Sequence, residues 1–253
     1  MRKMKTIVED TRNKPGKHDL KGEYFKAHNL NVIRSKLVCG DYAVLTDLST
    51  VVDSKESIQE VIGDIQFKAM GKKEIQDSIY EICRTNNISF DICDDLYHII
   101  CDDDSERNPD KEIDEICIAN NVPQLIIGQF KMFYIKRHGF FHRGLIRSKI
   151  NGIKLYILVE NTDGIKDVRD LFGWVNPRLK IWRNSKTLIG YWKNGKPRYK
   201  KVQAYPNAMT GQQLAKACLT MEKKYGCRFI FCRPEESGKK ILELLNVEVR
   251  NNV

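Results

Sequence analysis

The sequence predicts an α/β fold in which a central mixed sheet is flanked by helices and interrupted by a small α+β insert. Strand and helix patterns alternate from the N-terminus to about Ile65. Residues 155–160 are apolar up to a final glutamate, which is typical of a strand buried in the middle of a sheet. Residues 210–226 place apolar side chains at helical spacing and end at a glycine.

The individual elements follow from hydrophobic periodicity and from turn residues. In the first part of the chain we expect the order βαβββα. The predicted elements are a strand at 5–10, a helix at 20–28, strands at 32–37, at 40–45 and around Asp53, and a helix from 57 to about 65. The pattern resumes with a strand at 155–160, a helix at 210–226, a strand at 228–232 and a helix at 234–245.

Residues 69–138 differ in charge from the rest of the chain. They contain eight Lys and Arg against fourteen Asp and Glu, a local net charge of −6. The whole chain carries +10, so the chain outside this segment carries +16. We therefore divide the chain into a first core part (1–68), an acidic inserted module (69–138) and a second core part (139–253). Within the insert we predict two helices, around Ile79 and around Ile113, and short strands at 125–127 and 132–135.

The basic body favours a polyanionic partner. No apolar stretch reaches the roughly 20 residues that a membrane helix needs, and we expect a cytoplasmic protein without membrane contact. The eight cysteines form no Cys-x-x-Cys pair, so we expect buried free thiols. A zinc site in the insert is the weaker alternative; its ligands would come from Cys83, Cys93, His98, Cys101 and Cys117.

Two aspartates and a lysine are the candidates for chemistry. Eleven residues separate Asp41 from Asp53, the length of two strands and a turn, and Asp53 and Lys55 point to the same face of a strand. Two carboxylates on neighbouring strands suit Mg²⁺ or Mn²⁺, and a lysine beside them can act on a phosphate or on an attacking water. The alternative is a solvated surface ion pair.

Residues 178–201 carry nine basic residues, no acidic residue and four aromatic residues. Basic side chains neutralise phosphates and aromatic rings stack on exposed bases, so the pattern favours nucleic-acid binding. The alternative is a basic surface hairpin whose aromatic rings pack inward. The candidate nucleic-acid-binding residues in this segment are Arg178, Lys180, Trp182, Arg183, Lys193, Arg198, Lys200 and Lys201.

Three short motifs occur in order in the first core part. They are Asp10-Thr11-Arg12-Asn13, Gly40-Asp41-Tyr42 and Asp53-Ser54-Lys55-Glu56-Ser57-Ile58-Gln59. With these motifs the chain resembles the XPF-type structure-specific nucleases of the PD-(D/E)xK superfamily. The segment 153–161 and the last helix, strand and helix resemble related nucleases of bacteria and their phages. Together the resemblance covers most of the two core parts and leaves out the insert.

The resemblance implies a restriction-endonuclease-like fold and a metal-dependent endonuclease that acts on branched or single-strand-containing DNA in repair or recombination. It implies Asp41 and Asp53 as metal ligands, Asp10 as an outer or second-metal carboxylate, Lys55 as the catalytic lysine and Arg12 as a phosphate contact. It also implies a homodimer. The chain departs from the family pattern by having Asn13, Asp53, Ser54 and Gln59 where the family has Glu, Glu, Arg and Asp.

Two other functions remain open from the sequence. In one, the chain is a decayed nuclease that binds DNA or a protein partner without cleaving, in agreement with the four motif departures. In the other, the acidic insert binds a protein partner or covers the basic groove, and removing it raises the affinity for DNA.

Overall fold

The computed structural model describes residues 5–13, 19–102 and 107–248. The predicted fold class is confirmed, because a mixed six-stranded sheet is flanked by helices. The strands are β1 (Thr6–Asp10), β2 (Asn31–Ser35), β3 (Tyr42–Val44), β4 (Asp47–Lys55), β5 (Lys154–Glu160), β6 (Trp182–Tyr191), β7 (Pro197–Gln203) and β8 (Arg228–Cys232). The central sheet has the order β2-β1-β3-β4-β5-β8, and β6 and β7 form a separate hairpin.

The strand directions bring the predicted site to one edge of the sheet. β1 is parallel to β2, and β4, β5 and β8 are parallel to one another. β3 is antiparallel to both β1 and β4. The start of β3, just after Asp41, therefore lies beside the carboxyl ends of β1 and β4, where Asp10 and Lys55 are found.

The described ranges contain eight α-helices. They are α1 (Asp19–Ala27), α2 (Ile58–Ile65), α3 (Lys72–Thr85), α4 (Phe90–Cys101), α5 (Pro109–Ala119), α6 (Gln124–Ile150), α7 (Gly211–Tyr225) and α8 (Ser237–Leu244). Their ends follow ordinary capping chemistry. Thr210 and Gln213 cap α7 reciprocally and Gly226 ends it in the left-handed conformation, as its sequence predicts.

The two faces of the sheet bury different side chains, because neighbouring residues of a strand point to opposite sides. Val51 and Ile157 pack on the face covered by α2, the second half of α6 and α7. Val52 and Leu158 pack on the other face, against α1 and α8. Asp53 follows Val51 with the period of two and so belongs to the α2 and α6 face.

The insert is helical, and its two predicted strands are wrong. Residues 125–127 and 132–135 both lie within α6. A short apolar run has the same composition in a buried strand and in a buried helix, and the run alone cannot separate them. α3, α4, α5 and the start of α6 enclose a hydrophobic core of their own, which lies between Ile75 and Tyr134 in sequence.

α6 joins the insert to the sheet and is interrupted once. Gly139 has φ 69° and ψ 165°, which is not helical. A Cβ atom at this position would lie 3.0 Å from the ring of Phe67. The residues before the break pack in the insert, and Phe141 and Leu145 after it pack against the sheet. Glycine is thus required by both backbone conformation and space.

All eight cysteines are buried free thiols, as expected. Burial raises the pKa of Cys83, to about 12, and that of Cys117, to about 11. Within residues 5–13, 19–102 and 107–248, no group of three or more His, Cys, Asp or Glu side chains is arranged to hold a metal ion. In the same ranges, no helix combines the length and the apolar character needed to cross a bilayer.

Candidate active site

Asp41 is held against β4 by its main chain and its side chain. Its amide donates to the carbonyl oxygen of Val52 at 2.8 Å, and its Oδ2 accepts from the amide of Ser54, also at 2.8 Å. Gly40 makes this approach feasible: it has φ +67°, and a Cβ atom there would lie 2.5 Å from Val51 Cγ1. The Gly-Asp pair therefore fixes the Asp41 carboxylate beside the end of β4.

Asp53 and Lys55 share a face of β4, as their spacing predicts. Lys55 Nζ lies 3.2 Å from Asp53 Oδ2 and 2.9 Å from Asp64 Oδ2, and it stands 4.9 Å from the centre of the Phe141 ring. Burial acts to lower the pKa of Lys55, but the carboxylates of Asp53 and Asp64 outweigh it, and the pKa lies above its ordinary value. With these two carboxylates beside it, Lys55 is a cation at physiological pH.

Asp64 is a site residue that the sequence did not predict. It lies near the end of α2 and reaches Lys55 from the helix that covers the sheet. Burial raises the pKa of its carboxyl group, although the ammonium of Lys55 opposes this. An acidic residue in the last turn of α2 was the available signal, but the sequence does not say which way that turn faces.

Asp10 is engaged with Arg12 and the main chain. Its Oδ1 accepts from the amide and the Nε of Arg12, and its Oδ2 accepts from Arg12 Nη2 and from the amide of Leu37, at distances of 2.6–2.8 Å. These four bonds fill the usual lone-pair positions of a carboxylate. Burial would raise the pKa of Asp10, but the bonds to Arg12 and Leu37 hold it below its usual value. In this arrangement Asp10 positions Arg12 and has no lone pair left for a metal ion.

The structure thus brings Asp41, Asp53 and Lys55 to one edge of the sheet, with Asp64 added and Asp10 turned towards Arg12. Two carboxylates fit Mg²⁺, which keeps several waters and takes the rest of its ligands from substrate phosphate oxygens. On the donor chemistry, Asp41 and Asp53 are therefore the residues that would hold the ion.

The second half of α6 carries two arginines that the sequence did not single out. Arg143 Nη2 donates to both carboxylate oxygens of Asp110, at 2.7 and 2.8 Å, and so links α6 to the start of α5. Arg147 lies one turn further along α6. Burial and the charges of Arg143 and Arg12 lower its pKa.

The candidate nucleic-acid-binding segment is a hairpin that is exposed along most of its length. Trp182, Tyr191 and Trp192 are 61%, 68% and 56% exposed, so the alternative of inward-packed rings is wrong. The guanidinium of Arg198 lies over the Trp192 ring, 4.9 Å from its centre. A short helical turn, Pro177–Lys180, precedes the hairpin and is called its stem below. The predicted basic residues lie in the stem (Arg178 and Lys180), on β6 (Arg183), after β6 (Lys193) and on β7 (Arg198, Lys200 and Lys201).

The stem of the hairpin is anchored to the helix that carries Asp64. Gln59 on α2 donates from Nε2 to Asn176 Oδ1 at 3.0 Å, and Asn176 donates to the carbonyl oxygen of Met209 at 2.8 Å. Asn176 is fully buried and also accepts from the amide of Arg178. Gln59, which stands where the family motif has Asp, therefore connects the helix that carries Asp64 to the hairpin.

No family model, no curated protein and no solved structure matches this chain. The resemblance to the XPF-type nucleases stays a prediction that rests on the motifs.

Proposed function

We propose that this chain is a metal-dependent endonuclease that hydrolyses phosphodiester bonds in branched or single-strand-containing DNA. One observation carries the proposal: the buried ammonium of Lys55 lies beside Asp53, at the sheet edge where Asp41 is also fixed. A cation and two carboxylates from adjacent strands are groups that metal-dependent hydrolysis of a phosphodiester can use.

Each residue has a role that follows from its surroundings. Asp41 and Asp53 would hold Mg²⁺ or Mn²⁺, which would polarise the phosphate and make a water molecule more acidic. Lys55 stays protonated, orients the attacking water and offsets the charge that develops on the phosphate. Asp10 orients Arg12, whose guanidinium contacts the DNA backbone.

The hairpin supports DNA with unpaired bases as the substrate. Exposed rings at Trp182, Tyr191 and Trp192 offer stacking surfaces, and the neighbouring lysines and arginines neutralise phosphates. A stacking platform requires bases that are not paired in a duplex. We therefore favour flaps, forks and single strands over intact duplex, and propose the cytoplasm as the location, where DNA and Mg²⁺ are both available.

The test is a cleavage assay on flap, fork, nicked and single-stranded DNA with Mg²⁺ or Mn²⁺. We expect D41N, D53N and K55Q each to lower the rate at least 100-fold. D47N is the matched control, because Asp47 is an exposed carboxylate at the other end of the same strand. Cleavage by D53N or K55Q at the rate of the unmodified protein would overturn the proposal.

A nucleic-acid-binding or partner-binding protein without cleavage is the second candidate. The contact between Lys55 and Asp64 favours it, since that contact satisfies the lysine within the protein. The homodimer and the role of the insert as a regulator or partner site remain proposals; the insert contacts the core through Asp110 and Arg143. Tight DNA binding with no cleavage of any substrate, with either Mg²⁺ or Mn²⁺, would support a binding protein that does not cleave.

A further inference from the structure

Lys55 is shared between two carboxylates of the candidate active site. Its Nζ atom lies 3.2 Å from Asp53 Oδ2 and 2.9 Å from Asp64 Oδ2. An ammonium group has three N–H donors and can therefore contact both acids at once. The Lys55 side chain is only 11% exposed, so water has little access to replace either carboxylate.

The position of Asp64 on α2 is unfavourable for the helix itself. Asp64 lies in the last turn of α2, where the helix dipole disfavours a negative charge. Glu60 stands four residues earlier on the same helix, and like charges at that spacing repel each other. Lys55 is the cation that contacts Asp64 and offsets these costs. The contact with the lysine, and not the helix, therefore explains an acid at this position.

The carboxylate of Asp53 is contacted by Lys55 and is also the proposed ligand of a divalent ion. A lysine and a divalent ion at the same carboxylate are like charges in close proximity, and they repel each other. Asp64 offers Lys55 a second carboxylate, which lies on α2 and not on the strand that carries Asp53. With that contact, Lys55 keeps a counter-charge when Asp53 binds the ion.

We propose that Asp64 is a positioning residue that holds Lys55 beside the site while Asp53 binds the divalent ion. Without Asp64, Lys55 depends on Asp53 alone, and the lysine and the ion compete for one carboxylate. The inference rests on the proposed function, because it takes Asp53 as a metal ligand. It goes further by assigning the acid on α2 to the lysine and not to the metal.

The test measures the binding of Mn²⁺ to the full chain, without DNA, by isothermal titration calorimetry. Binding that D41N removes defines the site. We expect D64N to weaken this binding about tenfold, because Lys55 then neutralises Asp53. K55Q removes the competing cation and should strengthen the binding about tenfold. In the K55Q background, D64N should change the affinity by no more than about twofold, since no lysine remains to be positioned.

Two further variants separate the role of Asp64 from the loss of any nearby negative charge. D64E keeps the carboxylate on a longer side chain, and we expect its Mn²⁺ affinity to lie within about threefold of that of the unmodified protein. E56Q is the matched control, because Glu56 is an exposed carboxylate directly after Lys55, and it should bind Mn²⁺ like the unmodified protein. A merely structural contact would lower the unfolding temperature of D64N and leave its Mn²⁺ affinity unchanged.

Equal losses from D64N in the native and K55Q backgrounds would make Asp64 a metal ligand and overturn the inference. An unchanged Mn²⁺ affinity of D64N would overturn it as well, and so would the absence of Mn²⁺ binding that depends on Asp41. A chain that binds Mn²⁺ in the expected pattern but cleaves no DNA would keep the inference and lose the endonuclease proposal. Cleavage by the unmodified protein, together with an unchanged affinity of D64N, would give the reverse.

Discussion

The ammonium of Lys55 lies 2.9 Å from the carboxylate of Asp64, on a helix that packs over the strand carrying the lysine. This contact makes the role of Lys55 in folding separable from its role in cleavage. K55Q leaves Asp53 and Asp64 without their cation, and we expect it to lower the free energy of unfolding by about 3 kcal/mol.

The double variant K55Q/D64N tests that separation. We expect D64N to restore a large part of the lost stability, because it removes one of the two uncompensated carboxylates, while cleavage stays at least 100-fold below normal. The pKa of folded Lys55 is raised, so its stabilisation is complete below the ordinary lysine pKa and is lost only as pH rises through the raised value. The stability difference between K55Q and the unmodified protein should accordingly be constant from pH 6 to about pH 9 in urea titrations. Recovery of cleavage in the double variant would contradict a catalytic role.

Asp10 predicts an acid-dependent stability. Its folded pKa is below the usual value of about 3.9, so the stabilisation it provides is present above that value and is lost as pH falls towards the folded pKa. We expect D10A to lower the free energy of unfolding by about 3 kcal/mol at pH 7, with the difference shrinking below pH 4. D77A is the control, since Asp77 is an exposed carboxylate on α3. A difference for D10A that is independent of pH would contradict the role of its charge.

The sequence predicted the sheet well and the contacts across the sheet less well. The apolar run Thr50-Val51-Val52 before Asp53 and the apolar residues after Gly40-Asp41 are local signals, and they were sufficient to predict the two strands that bring Asp41 and Asp53 together. Asp64 joins the site only because α2 packs over the sheet in a particular rotation, which no local pattern encodes. The strands predicted at 125–127 and 132–135 were wrong because runs of three or four residues are too short to distinguish the helical period from the strand period.

Replacing Gly139 by alanine is expected to lower the stability of the protein strongly. G139A places a Cβ atom 3.0 Å from the Phe67 ring in a backbone conformation that alanine rarely adopts, and we expect a loss of about 2 kcal/mol in stability. G144A is the matched control in the same helix, where a Cβ atom meets nothing within 4 Å. It should raise stability by up to about 1 kcal/mol. Equal effects of the two variants in urea titrations would show that the break is not required.

Asn176 is predicted to hold the hairpin to the core. N176A removes the contacts with Gln59 Nε2, the Arg178 amide and the Met209 carbonyl, and we expect a loss of about 3 kcal/mol in stability together with weaker DNA binding. N120A is the control, because Asn120 is exposed and donates one local hydrogen bond. DNA affinity of N176A equal to that of N120A would mean that the anchor does not position the hairpin.

The exposed tryptophans of the hairpin predict a loss of affinity without a loss of stability. W182A and W192A should each weaken single-stranded DNA binding by about 1–3 kcal/mol, with a smaller effect on duplex, and should leave the unfolding temperature unchanged. F90A is the matched control, since Phe90 is an exposed ring on the acidic insert. Fluorescence anisotropy with the two DNA forms measures both effects, and equal losses on duplex and single strand would argue against stacking.

The burial of every native cysteine makes this chain directly suited to site-specific labelling. A maleimide dye reacts with an exposed thiolate, and all eight native thiols are enclosed in the cores. A cysteine introduced at the tip of the hairpin, as in N194C, would therefore take up the dye without the removal of any native cysteine. The same protein could then report, in single-molecule measurements, the distance between the hairpin and labelled DNA at each step of binding.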